Sequence, residues 1–167
     1  MPRRGAFILC SNHFSWMDPP LLGAVCPRPL AFMTKAEMFA IPGLAIVLRI
    51  VGAFPVRRHS ADRPAIRHAM DLLQRGRAVC LFLEGTRSRD GRLGRAEPGV
   101  ALIAARTGAP IVPVALCGAY RRGQLVVRIG AGQPLLAPQE VRHGGADLQR
   151  LAQERIMDRI AALHRGS

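Results

Sequence analysis

Short apolar runs recur along the chain and are separated by polar or glycine-containing segments. Four of these runs lack polar alternation and predict short buried strands: 6–10, 29–33, 78–83 and 111–116. Two further pieces, 53–56 and 125–129, predict short extended segments. Buried strands without alternation are typical of a sheet that is covered on both faces.

Helical periodicity appears between the apolar runs. It is clearest in 60–75, where Asp62 suits the N-cap, Pro64 suits the first turn and Gly76 predicts the end. Other helices are predicted over three segments: 44–51, 98–107 and 147–164. Strands that alternate with helices predict an α/β fold, a single domain with a mainly parallel central sheet flanked by helices.

Composition agrees with one folded domain and places the protein in a reducing compartment. The 167 residues are 49% hydrophobic, which is enough for a core and argues against disorder. The four cysteines are scattered, with no spacing typical of a metal site, so we expect buried free thiols and no bound metal. They are Cys10, Cys26, Cys80 and Cys117.

The charge is strongly basic, with 24 Lys+Arg against 11 Asp+Glu and a net charge of +13. Such a field favours an anionic partner: nucleic acid, an anionic membrane surface or a phosphorylated substrate. Aromatic residues make up only 5% of the chain, and no nucleic-acid-binding motif is present, so we expect no nucleic-acid partner. We find no signal peptide and no uncharged apolar run long enough to span a membrane.

The first chemical motif, NHFSWMDP, covers residues 12–19 and follows the first predicted strand. His13 and Asp18 would point apart in an ideal helix, so they meet only if the chain turns between them. A carboxylate on one ring nitrogen fixes the tautomer and raises the basicity of the other nitrogen. The pair then forms a positioned general base.

Three further motifs follow in the chain. Arg57 and Arg58 leave a tight apolar turn, and arginine forks suit phosphate oxygens. The segment FLEGTRS, residues 82–88, places polar groups at the end of a strand, where ligands of parallel α/β sheets bind. Pro113 interrupts an apolar strand and predicts an edge strand or a special bend.

In this order, the four motifs resemble those of the glycerolipid acyltransferases of the 1-acyl-sn-glycerol-3-phosphate (lysophosphatidate) acyltransferase type. The resemblance covers a motif-bearing core, residues 2–118, and leaves a C-terminal strand and helix in 119–167. It implies that His13, oriented by Asp18, removes the proton from an acceptor hydroxyl. The resulting oxygen attacks an acyl thioester, acyl-CoA or acyl-ACP, with no cofactor and no covalent acyl-enzyme.

The resemblance also implies which residues bind the substrates. The arginine of the second motif aligns with Arg58 or, less well, with Arg57, and it would hold the acceptor phosphate. Glu84, Gly85, Thr86 and Arg87 would line the acceptor side, and residues 112–114 would shape the acyl side. A lysophospholipid acceptor and a long-chain thioester both partition to membranes. We therefore expect a peripheral protein on the cytoplasmic membrane face, where the apolar stretch 38–51 either inserts shallowly or forms a core helix.

Several departures from the family pattern keep alternatives open. Leu83 stands where the family has Pro, and Glu97 stands where a lysine is usual, which puts the acceptor in question. Family members usually carry an extra N-terminal helical segment, so this chain is either a short form or starts upstream. The alternatives are another lysolipid acceptor, a thioesterase or other hydrolase, a pseudoenzyme, and a basic nucleic-acid-binding module. Acyl-chain length and oligomeric state are left open.

Overall fold

The computed structural model of the protein describes residues 1–57, 62–88, 90, 92–119, 124–134 and 144–166. Within them the strands are β1 Phe7–Ser11, β2 Leu30–Lys35, β3 Phe54–Val56, β4 Ala78–Phe82, β5 Ile111–Ala119 and β6 Gln124–Ile129. They form one sheet in the order β3-β2-β4-β1-β5-β6. All pairings are parallel except β5 with β6. The predicted α/β fold with a mainly parallel sheet is confirmed.

The helices of the described residues are α1 Asp18–Val25, α2 Leu44–Ile50, α3 Arg63–Gln74, α4 Pro98–Thr107, α5 Gly144–Leu151 and α6 Asp158–Arg165. A short 3-10 segment, Ala36–Ala40, precedes α2, and a π-helical stretch, Ala152–Met157, joins α5 to α6. The predicted cap of α3 is confirmed, because the Asp62 side chain accepts a hydrogen bond from the Ala65 amide at 3.0 Å.

The core lies on both faces of the sheet. Successive residues of a strand point to opposite faces, so Phe7 and Leu9 pack with α1 while Ile8 and Cys10 pack with α3, α4 and the C-terminal helix. All five β1 side chains are completely buried. This two-sided burial is the physical reason that β1 reads as one continuous apolar run.

The cysteines are all buried and free, as predicted. Burial raises the pKa of the Cys10 and Cys80 thiols well above the usual range. A thiol held neutral in this way is a poor nucleophile, which agrees with a packing role.

Pro113 lies in an internal strand, so the prediction of an edge strand is wrong. It pairs with Cys10 of β1, while the ladder between β5 and β6 begins one residue later, at Val114 and Ile129. The Pro113 carbonyl accepts a hydrogen bond from the Gly130 amide at 2.8 Å. The missing proline N–H therefore falls where β6 has ended, and the parallel ladder with β1 is undisturbed.

Candidate active site

The candidate site lies at the carboxyl ends of β1 and β4, which are neighbours in the sheet. Their parallel register pairs Ser11 with Phe82, so the residues that follow the two strands emerge side by side. His13 lies two positions after β1, and Glu84 lies two positions after β4. Polar groups from two separate motifs thus meet at the edge where parallel sheets bind ligands.

The chain turns between His13 and Asp18 and brings their side chains together. His13 Nδ1 lies 2.7 Å from Asp18 Oδ2, and Asp18 is fully buried at the first position of α1. The same carboxylate oxygen accepts hydrogen bonds from the Phe14 and Ser15 amides, each at 2.8 Å. Since the carboxylate fixes the proton on Nδ1, Nε2 keeps the lone pair that a general base needs.

The His13 ring and backbone are fixed by residues of the loop after β4. The imidazole stacks on Phe82 with ring centroids 3.9 Å apart. The His13 amide donates to Glu84 Oε2 at 3.2 Å, and the His13 carbonyl accepts from the Ser88 amide at 2.7 Å. The first and third motifs therefore form one hydrogen-bonded unit.

Glu84 is directed at backbone amides. Its second carboxylate oxygen, Oε1, accepts from the Gly94 amide at 2.8 Å, and only 7% of the residue is exposed. Burial raises the pKa of Glu84 above its usual range, although the amides of Gly94 and His13 oppose this shift. Glu84 thus ties the loop after β4 to His13, and its predicted place on the acceptor side remains a prediction.

Gly85, Thr86 and Glu97 lie together beside this carboxylate. Gly85 has φ +62°, a conformation that favours glycine, and a Cβ there would lie 2.9 Å from Glu97 Cγ, so a larger residue would have to displace the Glu97 side chain. Thr86 is exposed. A surface cleft of about 450 Å³ opens here, and Glu84, Thr86 and Glu97 are among its lining residues. The residue that departs from the family pattern, Glu97, is therefore part of the cleft.

Two of the predicted arginines, Arg87 and Arg57, follow different strands at the carboxyl edge of the sheet. The Arg87 guanidinium is stacked over the Trp16 ring, 3.9 Å from its centroid. Arg57 follows β3, which is three strand spacings from β1 at the same edge, or about 14 Å. Arg58, the preferred phosphate ligand of the sequence prediction, lies outside the described residues.

Asp62 fixes the backbone of Arg57. The Arg57 amide donates to Asp62 Oδ2 at 2.7 Å, and this bond, followed by the bond from Ala65, holds the pKa of Asp62 below its usual range. One aspartate thus caps α3 and anchors the end of the turn that the second motif forms.

Residues 112–114 lie in the core. Val112 and Val114 are completely buried and pack on the face of the sheet that α1 covers. The prediction that they shape the acyl side remains a prediction, since the packing by itself assigns them to the core.

Two positioning contacts were missed by sequence reasoning. The Asn12 amide group forms a reciprocal pair with the Leu116 backbone: the Leu116 N–H donates to Oδ1 at 2.8 Å, and Nδ2 donates to the carbonyl at 3.0 Å. Two glutamines near the C-terminus bind the Ala96 backbone. The Ala96 amide donates to Gln153 Oε1 at 3.1 Å, and Gln149 Nε2 donates to the Ala96 carbonyl at 3.3 Å. Asn12 stood inside the first motif and could have been noticed, but neither partner is visible from spacing.

The protein thus has a parallel α/β sheet with a buried His–Asp pair at its carboxyl edge, an arrangement that can serve as a general base. The family model described as Acyltransferase matches residues 1–117, and the chain belongs to this family. The family prediction is confirmed.

Relatives with named activities are similar to the chain in sequence. It is 35% identical over 113 residues to a chloroplastic 1-acyl-sn-glycerol-3-phosphate acyltransferase of Brassica napus, covering 66% of this chain and 33% of the relative. It is 35% identical over 120 residues to a lyso-ornithine lipid O-acyltransferase of Pseudomonas aeruginosa, covering 71% of this chain and 45% of the relative.

The crystal structure of the 1-acyl-sn-glycerophosphate (LPA) acyltransferase of Thermotoga maritima superimposes with a TM-score of 0.72 at 27% identity. The match covers 97% of this chain and 68% of that one. The chain thus spans a third to less than half of the length of the two sequence relatives, and about two thirds of the solved structure.

Proposed function

We propose that the protein transfers a fatty acyl group from an acyl thioester to the hydroxyl of a lysophospholipid, with 1-acylglycerol-3-phosphate as the acceptor and phosphatidate as the product. The observation that carries this proposal is the 2.7 Å contact between His13 and the buried Asp18 beside a loop that presents Arg87. The names of the Brassica and Thermotoga relatives support the choice of acceptor.

The chemistry follows from the geometry of His13. Its Nε2 takes the proton from the acceptor hydroxyl as the oxygen attacks the thioester carbonyl. The tetrahedral intermediate then collapses, the C–S bond breaks, and the thiolate of coenzyme A or acyl carrier protein leaves with the proton that His13 returns. Asp18 stabilises the imidazolium that forms between the two proton transfers.

We expect three arginines to hold the acceptor phosphate. Arg87 lies on the loop after β4, Arg57 follows β3, and Arg58 is the next residue in the sequence. A charged hydrogen bond contributes about 1.5–3 kcal/mol, so we expect Arg58→Ala to raise the acceptor KM by about tenfold or more. The melting temperature should change little, and Arg57→Ala should show the smaller effect. The reverse ranking would assign the phosphate to Arg57.

A second acceptor is supported by Glu97. Its carboxylate lines the cleft beside Thr86, where a negative group repels a phosphate and attracts an amine. The Pseudomonas relative is named for a lyso-ornithine lipid, whose headgroup carries an amine. Lyso-ornithine lipid is therefore the acceptor to compare with lysophosphatidate.

We further propose that the protein binds the bilayer surface through α2. Four neighbouring side chains, here called the α2 face, are apolar and about half exposed or more: Ile46, Val47, Ile50 and Val51. Arg49 lies in the same turn, and each basic residue near an anionic leaflet adds about 1 kcal/mol. Within the described part of the chain, no helix is long and apolar enough to cross a membrane.

The deciding experiment measures thiol release from palmitoyl-CoA and from acyl-ACP in mixed micelles, with each lysolipid and without any. We expect release that requires lysophosphatidate, yields a diacyl product and disappears in His13→Ala, while the variant still folds and unfolds cooperatively. Release that needs lyso-ornithine lipid would transfer the proposal to that acceptor.

Two other outcomes would overturn the proposal. Release without any acceptor would indicate a thioesterase. Absence of release with every donor and acceptor, combined with salt-sensitive retention of nucleic acid, would favour the basic binding module instead.

A further inference from the structure

Trp16 is an exposed aromatic residue on the loop that joins His13 to Asp18. It is 60% exposed, yet one face of its indole lies 3.9 Å below the Arg87 guanidinium. That distance is well inside the range of a cation–π contact, and tryptophan is the strongest partner for such a contact. The loop after β1 therefore holds a side chain of the loop after β4.

Arg87 is fixed by its backbone as well. The amide of the next residue, Ser88, donates to the His13 carbonyl at 2.7 Å, which keeps Arg87 beside the base. The ion pairs found among the described residues do not include Arg87. Its positive charge is thus held over Trp16, on the loop that begins at His13, and the described part of the protein shows no carboxylate paired with it.

We infer that Trp16 is a positioning residue, which holds the Arg87 guanidinium for the phosphate monoester of the acceptor. Stacking occupies one face of the planar group and leaves its N–H edges free for bidentate phosphate contacts. Because the side chain is ordered before the acceptor arrives, less conformational freedom is lost on binding. This inference rests on the proposed function and adds to it a residue that touches neither the acyl group nor the reacting oxygen.

The first test is a double-mutant cycle in steady-state kinetics. We expect Trp16→Leu to raise the acceptor KM by about two- to fivefold, the range of an exposed cation–π contact, with kcat and the donor KM unchanged. Trp16→Phe should recover part of the loss. The matched control is Met17→Ala, since Met17 is the next residue, is 55% exposed and has no ring.

The cycle is completed by repeating Trp16→Leu in the Arg87→Ala background, where it should have no further effect on KM. Equal effects in the two backgrounds would overturn the inference, because Trp16 would then act independently of Arg87. A fall in kcat at unchanged KM would also overturn it, since that result assigns Trp16 to the orientation of His13.

The second test does not require turnover, because Trp16 is the single tryptophan of the chain and reports its own environment. Its emission is followed during titration with inorganic phosphate, sn-glycerol 3-phosphate, lysophosphatidate and lysophosphatidylcholine. We expect a saturable change with the phosphate monoesters, none with the phosphodiester, and none in Arg87→Ala. Much tighter binding of lysophosphatidate would identify the lipid headgroup as the ligand, whereas equal binding of inorganic phosphate would indicate a general phosphate site.

The proposed acylation of lysophosphatidate and the positioning role of Trp16 can be rejected independently. If Trp16 emission does not change with any phosphate monoester while the enzyme acylates lysophosphatidate, the role of Trp16 is overturned and the proposed function stands. An Arg87-dependent emission change in a protein that does not acylate lysophosphatidate would support the role of Trp16 and reject the proposed reaction.

Discussion

The corner of the sheet around His13 and the α2 face lie on the same chain but are built in opposite ways. At the His13 corner, Asp18 and Glu84 are buried, and each carboxylate accepts two or more hydrogen bonds. On the α2 face, Ile50 is 78% exposed, and Ala45 is the α2 residue buried in the structure.

This difference fits the two roles that we propose for the regions. Proton transfer requires atoms held to within a fraction of an ångström, and buried, fully bonded polar groups supply that rigidity. A surface for lipid requires only exposed apolar area, which gives no stability to the folded protein in water. Substitutions at the His13 corner should therefore affect both rate and stability, and those on the α2 face should affect neither in the absence of lipid.

Asp18 offers the largest expected effect. Asp18→Ala removes the acceptor of three hydrogen bonds, from His13, Phe14 and Ser15, so we expect a rate loss of about 10²–10⁴-fold. Unfolding free energy should fall by about 1–3 kcal/mol, because donors are left without a partner. Asp18→Asn should recover much of the stability but little of the rate. The measurements are acyl transfer and denaturant unfolding.

The control is Asp71→Asn, an exposed aspartate on α3, which should alter neither quantity. If Asp18→Ala lost stability at an unchanged rate, the carboxylate would only hold the turn before α1, and the base would not depend on it.

The sequence was sufficient for the parts of the structure that depend on local spacing. The continuous apolar run of β1 and the periodicity of α3 predicted the elements, and the five-residue spacing from His13 to Asp18 indicated that their side chains meet only if the chain turns between them. Contacts between distant residues were not predictable: Asn12 meets Leu116 across 104 positions. The direction of the Glu84 carboxylate was also not predictable, because it depends on the position of the Gly94 amide and not on the motif.

Asn12 should show the next effect, mainly on stability. Asn12→Ala removes both bonds to Leu116 and leaves a buried N–H and carbonyl unpaired, so we expect a loss of about 1–3 kcal/mol. The rate should fall less than in Asp18→Ala, because His13 keeps its carboxylate. Urea unfolding beside kinetics measures both. A wild-type stability would mean that water replaces the amide group at Leu116.

The α2 face should respond only when lipid is present. Burial of an isoleucine side chain contributes about 1.5–3 kcal/mol, so even partial insertion predicts that Ile50→Ser weakens liposome binding by several-fold or more. The matched control is Ile129→Ser, since Ile129 lies on β6 and is 42% exposed. Sedimentation with anionic vesicles measures the binding. Equal losses in the two variants would show that the α2 face is not the surface that binds lipid.

Glu84 offers the smallest effect, a dependence of stability on pH. Burial raises its pKa in the folded protein above that of the unfolded chain, so the folded state binds the proton more tightly. Stability then falls as the pH rises from the usual carboxyl range, about 4.3, through the raised pKa, and becomes level above it.

Glu84→Gln cannot ionise, and it should therefore lack this decline, although it loses one acceptor for the amides of His13 and Gly94 at every pH. The difference in melting temperature, wild type minus variant, should decrease with rising pH across that window. An increase would show that the two amides stabilise the carboxylate more than burial destabilises it. In that case Glu84 would be an ionised clamp on His13, and the rigidity of this corner would depend on its charge.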